Sequence, residues 1–290
     1  MLFHFDFATP AGLGPTLDAA ELTTVLTATS VRFLGRGSFG ESWAYTVSGE
    51  TKVAKILIDP VITSRQILRE TEGLTRVTSS NVVRFVEAQI LTLAAPVRNR
   101  VALIFEFVTG GDIARPLQAG QWPTETETAD FAKGVLAGLA ALHAREVVHR
   151  DIKPENLARR GADWGQPVIL DLGLDRLLDA STLTIYPQMV GTAPYMAPEV
   201  IEGRAARKGS DLWSLGVVLF LMLTRRHPFL PDPAEVLDQQ DMHDRVMAGP
   251  PALPSTVPEP LRTLVARFLS PASYKRGSAA RALAELEAAP

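Results

Sequence analysis

The eight residues from His149 to Asn156 read HRDIKPEN: two cations, two carboxylates, an amide and a proline, set between apolar segments. An ordinary solvated turn can carry such a mixture, and so can a site where charge is aimed at a reacting group. In the second case each type has a task. Asp151 could accept a proton from an incoming hydroxyl, and Lys153 could neutralise a phosphoryl group in transfer. Asn156 offers a neutral oxygen suited to Mg²⁺, a hard cation. Fifteen residues on, VILDLG places Asp171 at the end of an apolar strand pattern, where a second oxygen ligand would sit at the mouth of a cleft. Phosphoryl transfer relies on positioning and electrostatics more than on covalent chemistry, which is a reason to concentrate charge in this way.

Two features nearer the N-terminus extend the pattern. GRGSFG (Gly35–Gly40) matches G-x-G-x-x-G, which alone is weak. It lies between two strand patterns rather than between a strand and a helix, which favours a hairpin over phosphates against a dinucleotide-binding turn; a plain hairpin turn is the bland alternative. Lys55 ends KVAK, and period-2 alternation puts Val53 and Lys55 on one face and Lys52 on the other, solvated one. An inward lysine needs a carboxylate partner. Glu70 and Glu72 are candidates, and Glu70 is preferred because Leu74, one turn on, marks the buried side.

The elements that must position these groups follow from periodicity. SVRFLG, ESWAYTV and TKVAKILI alternate as three strands, and NVVRFVEAQIL and RVALIFEFV as two more. Between the two sets, SRQILRETEGLTRV (Ser64–Val77) has helical spacing. Beyond TGGD the character changes: TETETADFAKGVLAGLAALHA forms a long helix with Phe131, Val135, Leu139 and Leu142 on one face, and later segments are mostly helical between proline-rich loops. The change falls near Glu106–Gly111.

Composition narrows the class. The 290 residues are 46% apolar and 21% charged, which suits a globular chain of one large domain or two lobes. A formal charge of −3 gives no reason to expect nucleic acid or anionic lipid as partner. With no cysteine, disulfides and thiolate chemistry are excluded, and a reducing cytosol is expected. MLFHFDFATPAG lacks the features of a signal peptide, and the longest apolar run, Leu212–Leu223, is 12 residues, too short to span a membrane.

Together the motifs resemble those of eukaryotic-type (Hanks-type) serine/threonine protein kinases. A glycine loop, strand lysine, helix glutamate, HRDIKPEN, DLG, GTAPYMAPE and SDLWSLG stand in that family's order across residues 29–287. The resemblance implies an α+β, bilobal protein-kinase-like fold. An N-lobe (29–108) would hold a five-stranded antiparallel sheet and one main helix; a mainly helical C-lobe (109–290) would follow, with residues 1–28 as an extension of unassigned role. It implies ATP with Mg²⁺ (or Mn²⁺) as cofactors, a protein substrate, a cytoplasmic location, and a homodimer as one route to phosphorylation in trans. Lys55 would hold phosphates and pair with Glu70, Asp151 would be the base, Lys153 would touch the γ-phosphate, and Asn156 and Asp171 would hold the metal. The nucleotide pocket would comprise Leu34, Gly35, Gly37, Gly40, Val53 and Lys55, with Phe105 as gatekeeper, the Glu106 and Val108 backbone at adenine, and Ala158 as floor. Glu199 would pair with Arg276, Asp211 would brace the backbone at His149 and Arg150, and the Thr192 hydroxyl would be tied to Asp151 and Lys153. Lys153 and Thr192 resemble the serine/threonine branch, and the alanine-rich composition a soluble bacterial member.

The sequence also departs from the family. Ser42 and Ala158 remove apolar surface around the base and Val53 restores some, a net weakening of about 1 kcal/mol. Leu172 stands for a phenylalanine, and Ser79–Ser80 for a pair whose loss would loosen the loop. None of these removes a catalytic group, so an active kinase is favoured over a pseudokinase scaffold, and the GTAPYMAPE peptide platform disfavours a small-molecule kinase. His4, His143, His227 and His243 read as surface or packing residues, His149 as packing beneath the catalytic loop rather than a proton-transfer group, and Trp43 and Tyr45 as strand surface or lobe packing. Phe3, Phe5 and Phe7 alternate like an added strand, expected on the strand-rich lobe of this chain or of a second copy. Arg150 is a permanent cation next to the base, best satisfied by a phosphate; among Ser181, Thr182, Thr184 and Tyr186, Thr184 is the first choice for that phosphate and Thr182 the second.

Overall fold

The structure, a computed structural model, describes residues 3–4, 14–37, 40–57, 77–94, 99–171, 193–230, 232 and 236–289. Residues 64–76 of the expected helix at 64–77, with Glu70 and Glu72, and Leu172, Thr182, Thr184 and Thr192, lie outside the described residues.

The alternating segments form one antiparallel sheet. Its strands are β2 (Ser30–Gly37), β3 (Gly40–Val47), β4 (Glu50–Leu57), β5 (Phe85–Thr92) and β6 (Asn99–Glu106), in the order β2-β3-β4-β6-β5. Alternation sends Trp43, Tyr45, Ala54, Ile56, Ala102 and Ile104 to one face, and that face is not left to water. Leu22 and Leu26, from α1 (Ala19–Val25) and its C-terminal cap, cover it with Leu17. Trp43 and Tyr45 are thus core residues, and Phe33 packs edge-on against Trp43 at 5.2 Å. The other face carries Leu57, Leu103 and Phe105 and joins the core of the helical part.

Two lengths of the N-terminal extension do different things. Residues 14–28 cap the sheet, but β1 (Phe3–His4) pairs with β9 (Val236–Leu237) in the helical part, with Phe3 opposite Leu237 and His4 opposite Val236. The expectation of a strand added to the strand-rich lobe is therefore corrected. Period-2 alternation states that a segment is extended, not which edge accepts it. β5 also starts later than the sequence pattern suggests. Val83 N–H donates to Ile169 O and Ile169 N–H to Asn81 O, so Asn81–Val83 runs beside β8 (Pro167–Ile169) and links the two lobes. In the loop before it, Ser79 Oγ accepts from Asn81 N–H at 3.2 Å.

The helical part begins with α2 (Ala114–Gln118) and α3 (Glu125–His143). A capping box starts α3: Thr124 Oγ1 accepts from Glu127 N–H while Glu127 accepts from Thr124 N–H. Phe131, Val135, Leu139 and Leu142 are fully buried along it. Gly138 lets Asn81 and β8 approach, since a Cβ there would meet Asn81 O at 2.7 Å and Ile169 Cδ1 at 2.8 Å. β7 (Leu157–Arg159) pairs with β8 as a short hairpin. After α4 (Pro198–Ile201), the apolar run forms α5 (Lys208–Thr224), buried almost all round; no helix among the described residues is long and apolar enough to cross a membrane. Helices α6 (Gln239–Ala248), α7 (Glu259–Phe268) and α8 (Ala279–Ala288) complete the part.

Arg276 locks its base. The side chain has no exposed surface, and its guanidinium donates to both oxygens of Glu199 at 2.7 and 2.9 Å, to the Gly209, Ser270 and Pro271 carbonyls, and lies over Trp213. Removing one member of such a pair strands the other charge in the interior. Arg276→Met is therefore expected to lower unfolding stability by about 3–5 kcal/mol in urea titrations, with Glu199→Gln added to it restoring part of the loss.

Candidate active site

β4 is pinned between β3 and β6, with Lys55 opposite Ser42 on one side and Leu103 on the other. Its inner face carries Lys55, whose ammonium pairs directly with Asp171. Lys52, on the opposite face, meets Glu50 at 3.3 Å. The partner that the structure gives Lys55 is Asp171; Glu70 lies outside the described residues. Lys55 is 12% exposed and Asp171 37%, so the carboxylate still faces the cleft. Burial would push the Asp171 carboxyl up, but the Lys55 ammonium against it reverses this and holds it below the usual range.

The β7–β8 hairpin brings Asp171 beside the HRDIKPEN loop. Leu170 N–H donates to Asn156 O at 2.8 Å, and His149 Nε2 donates to Leu170 O at 2.6 Å. Within the loop, Asp151 Oδ2 accepts from Lys153 Nζ at 2.9 Å and from Asn156 Nδ2 at 2.8 Å. Asn156 Nδ2 also donates to the Asp151 carbonyl at 2.8 Å. Asp151 Oδ1 is buried and has no hydrogen-bond partner among the described residues. Burial pushes the Lys153 ammonium down, and the Asp151 carboxylate more than offsets it, so it stays charged.

The loop's shape is imposed from α5. Asp211, 1% exposed, accepts from His149 N–H at 2.9 Å, Arg150 N–H at 2.8 Å and His143 Nε2 at 2.7 Å. Those bonds hold Arg150 at φ +73°, and Asp171 sits at φ +56°, both in the left-handed region that costs a non-glycine residue about 1–3 kcal/mol. The sequence reads His143 as a surface or packing residue; its place four residues after Leu139 on the buried face of α3 is the signal for its buried role.

Of the expected nucleotide pocket, Val53 packs against the apolar cluster that contains Phe105, Val108 and Ala158, whereas Leu34 is the extra residue of a bulge between Phe33 and Gly35. Ala158 is wholly enclosed, its backbone bridged to Asp112. Glu106 has a task that the sequence did not disclose. Its carboxylate takes two bonds from Arg160, at 2.8 and 3.1 Å, and one from Arg84 N–H, which ties β6 to the β7–β8 hairpin.

The turn Ala193–Tyr195 places a platform beside the loop, where Arg150, Asp151 and Ile152 share a recess with Tyr195, Met196 and Ala197. Ser214 Oγ donates to Tyr195 O at 2.7 Å. His227 holds the same turn: Nε2 donates to Pro194 O at 3.1 Å while Nδ1 accepts from Phe229 and Leu230 N–H at 3.1 and 3.0 Å.

The sequence model of the protein kinase domain matches residues 28–286. The chain is 34% identical over 260 residues to the serine/threonine-protein kinase PkaA of Streptomyces coelicolor, covering 81% of this chain and 45% of that protein. It is 35% identical over 233 residues to mitogen-activated protein kinase kinase 9 of Arabidopsis thaliana (78% and 71%), and 30% identical over 238 residues to the probable serine/threonine-protein kinase PkwA of Thermomonospora curvata (80% and 30%). The chain thus spans less than half the length of either bacterial relative.

Burial pushes the His227 imidazole down to about 3, against 6.5 in an unfolded chain. Above pH 6.5 both states are neutral here and the residue contributes no pH dependence. Below it the unfolded chain takes up a proton that the native one refuses, so stability falls with pH. Between pH 7.5 and 5.5 the wild type should lose about 1.4 kcal/mol more than His227→Gln does, measured by urea unfolding at each pH.

Proposed function

The chain belongs to the protein kinase family, and we propose that it transfers the γ-phosphate of ATP, with Mg²⁺, to serine and threonine hydroxyls of protein substrates. The observation that carries this reading is the setting of the Asp151 carboxylate: Oδ2 is held by Lys153 and Asn156, Oδ1 has no hydrogen-bond partner among the described residues, and the group lies beside the Tyr195–Ala197 platform. A carboxylate so fixed can take a hydroxyl's proton without reorganising. Lys153, charged and attached to the same carboxylate, is the cation for the group in transfer, and Lys55 is the cation for the remaining phosphates.

The donor set fits a hard cation. Asn156 commits Nδ2 to Asp151, which leaves its carbonyl oxygen as the ligand atom, and the depressed Asp171 is an ionised carboxylate facing the cleft. When bound, Mg²⁺ (or Mn²⁺) would neutralise phosphate charge there. The kinase names of the relatives support serine/threonine rather than small-molecule acceptors, and so does the platform next to Asp151. The reading extends to autophosphorylation at Thr184, then Thr182, as a phosphate source for Arg150.

Asp151→Asn should reduce labelled-phosphate transfer from ATP to a serine/threonine-containing protein about 10²- to 10⁴-fold, with the melting temperature little changed. Lys55→Met and Asp171→Asn should be similarly impaired. Wild-type protein that binds ATP and transfers nothing would give the site to a scaffold instead. Mass spectrometry after incubation with Mg²⁺ and ATP should find Thr184 modified; an unmodified segment, with full activity in the Thr182→Ala/Thr184→Ala variant, would remove autophosphorylation from the reading.

A further inference from the structure

Glu41 follows Gly40, the last glycine of the hairpin, and its side chain has no exposed surface. It points to the sheet's outer face, away from Lys55, among Trp43, Tyr45 and Ile56. A carboxylate there is expensive unless its lone pairs are filled. Four bonds fill them: Thr16 N–H and Thr16 Oγ1, each at 2.6 Å to Oε1, Trp43 Nε1 at 3.0 Å to Oε2, and Leu17 N–H at 3.4 Å to Oε2. Three of the four come from the chain segment that leads into α1. That segment precedes residue 28, where the match to the family's domain begins.

The hairpin's second arm is therefore gripped from two directions. Gly40 lies so close to β4 that a Cβ would meet Ile56 O at 2.1 Å, which fixes it from the strand side. Glu41, paired in the sheet with Arg36 and Ile56, fixes it from the cap side. The arm's partner residues Gly35 to Gly37 lie directly across from Gly40 to Ser42, so a shift of β3 moves both arms together.

We propose that Glu41 is a positioning residue that clamps the glycine hairpin to the 14–28 cap, and that this clamp sets the affinity for the nucleotide phosphates. The proposal rests on the kinase reading for its ligand but not for its geometry. Glu41→Gln brings an NH₂ group into a nest of donors, and Thr16→Val removes one donor at the exposed end while leaving the core intact. Each should raise KM for ATP, by roughly five- to tenfold for Glu41→Gln and less for Thr16→Val, with kcat within about twofold of wild type. Thr16→Ser keeps both donors and should restore the wild-type KM. A residue with only a structural role would lower the melting temperature and the active fraction, hence kcat, and leave KM unmoved.

The test pairs steady-state kinetics with amide exchange, read at Gly40–Val47 without nucleotide. Faster exchange at Gly40–Ser42 in Thr16→Val, reversed in Thr16→Ser, together with the KM shift, supports the clamp. Unchanged exchange there overturns it, whether or not the wild type proves active, and a kcat loss at constant KM overturns it as well. Should Glu41→Gln fail to fold, the Thr16 series reads the same clamp. A wild type that shows no ATP turnover while Thr16→Val still accelerates exchange would count against the kinase reading and leave the clamp standing.

Discussion

Everything at this site hangs on the carboxylate of Asp211. It is buried at the start of α5 and, among the described residues, has three donors and no guanidinium or lysine ammonium against it: the backbone N–H groups of His149 and Arg150, and the ring of His143. Bonds to an ionised acceptor are about twice as strong as neutral ones. That strength is what offsets a left-handed Arg150, and Arg150 sets the direction in which Asp151 leaves the backbone. From there the order propagates: Asp151 fixes Lys153 and Asn156, Asn156 fixes Leu170, and Leu170 precedes Asp171.

The two lobes then need to be brought to one register, and ties among the described residues do it, three of which involve side chains that differ in their setting. Lys55 reaches down to Asp171, Glu106 grips Arg160, and Asn81 exchanges bonds with Pro167 and Ile169. They differ in permanence. The backbone bonds at Asn81 and the two-pronged Glu106–Arg160 pair lie behind the cleft and have no competitor in the chemistry. The Lys55–Asp171 pair lies inside it, between groups proposed to meet phosphates and a cation. The front tie thus lies among groups proposed to meet a ligand, and the rear ties lie apart from them.

Much of this was legible in the sequence, for identifiable reasons. A lysine in a strand has only two faces to choose from, so period-2 alternation was enough to assign Lys55 inward and Lys52 outward. The α3 helix followed from the regular apolar face of Phe131, Val135, Leu139 and Leu142, and the structure adds the capping box at Thr124 and Glu127. What stayed hidden was tertiary partnership. Nothing local in FHF says that Phe3 lies opposite Leu237, and nothing in VHR says that His143 shares a carboxylate with it. The covered outer face of the sheet was missed for a related reason: Leu17, Leu22 and Leu26 are too few and too irregularly spaced to announce a helix that buries them. Glu106 was read through its backbone alone, although its side chain carries the tie to Arg160.

Glu41 and Asp211 show the same device used twice, once in each lobe. Each is a buried carboxylate that accepts from backbone N–H groups and from side-chain donors, with no lysine or arginine paired to it among the described residues: Glu41 stands on the glycine hairpin and takes the amides of Thr16 and Leu17, and Asp211 takes those of HRDIKPEN. Glu199 is the contrast. It meets a guanidinium, and the pair holds the helical base rather than a loop. An ion pair fixes the distance between two side chains. A carboxylate filled by backbone amides fixes main-chain direction, because its two oxygens accept at set angles and only one arrangement of peptide planes satisfies both. An asparagine or glutamine could not substitute, since half of its polar end is itself a donor. Glu41 and Asp211 thus specify how a stretch of main chain turns, whereas Glu199 with Arg276 holds two elements of the helical part together.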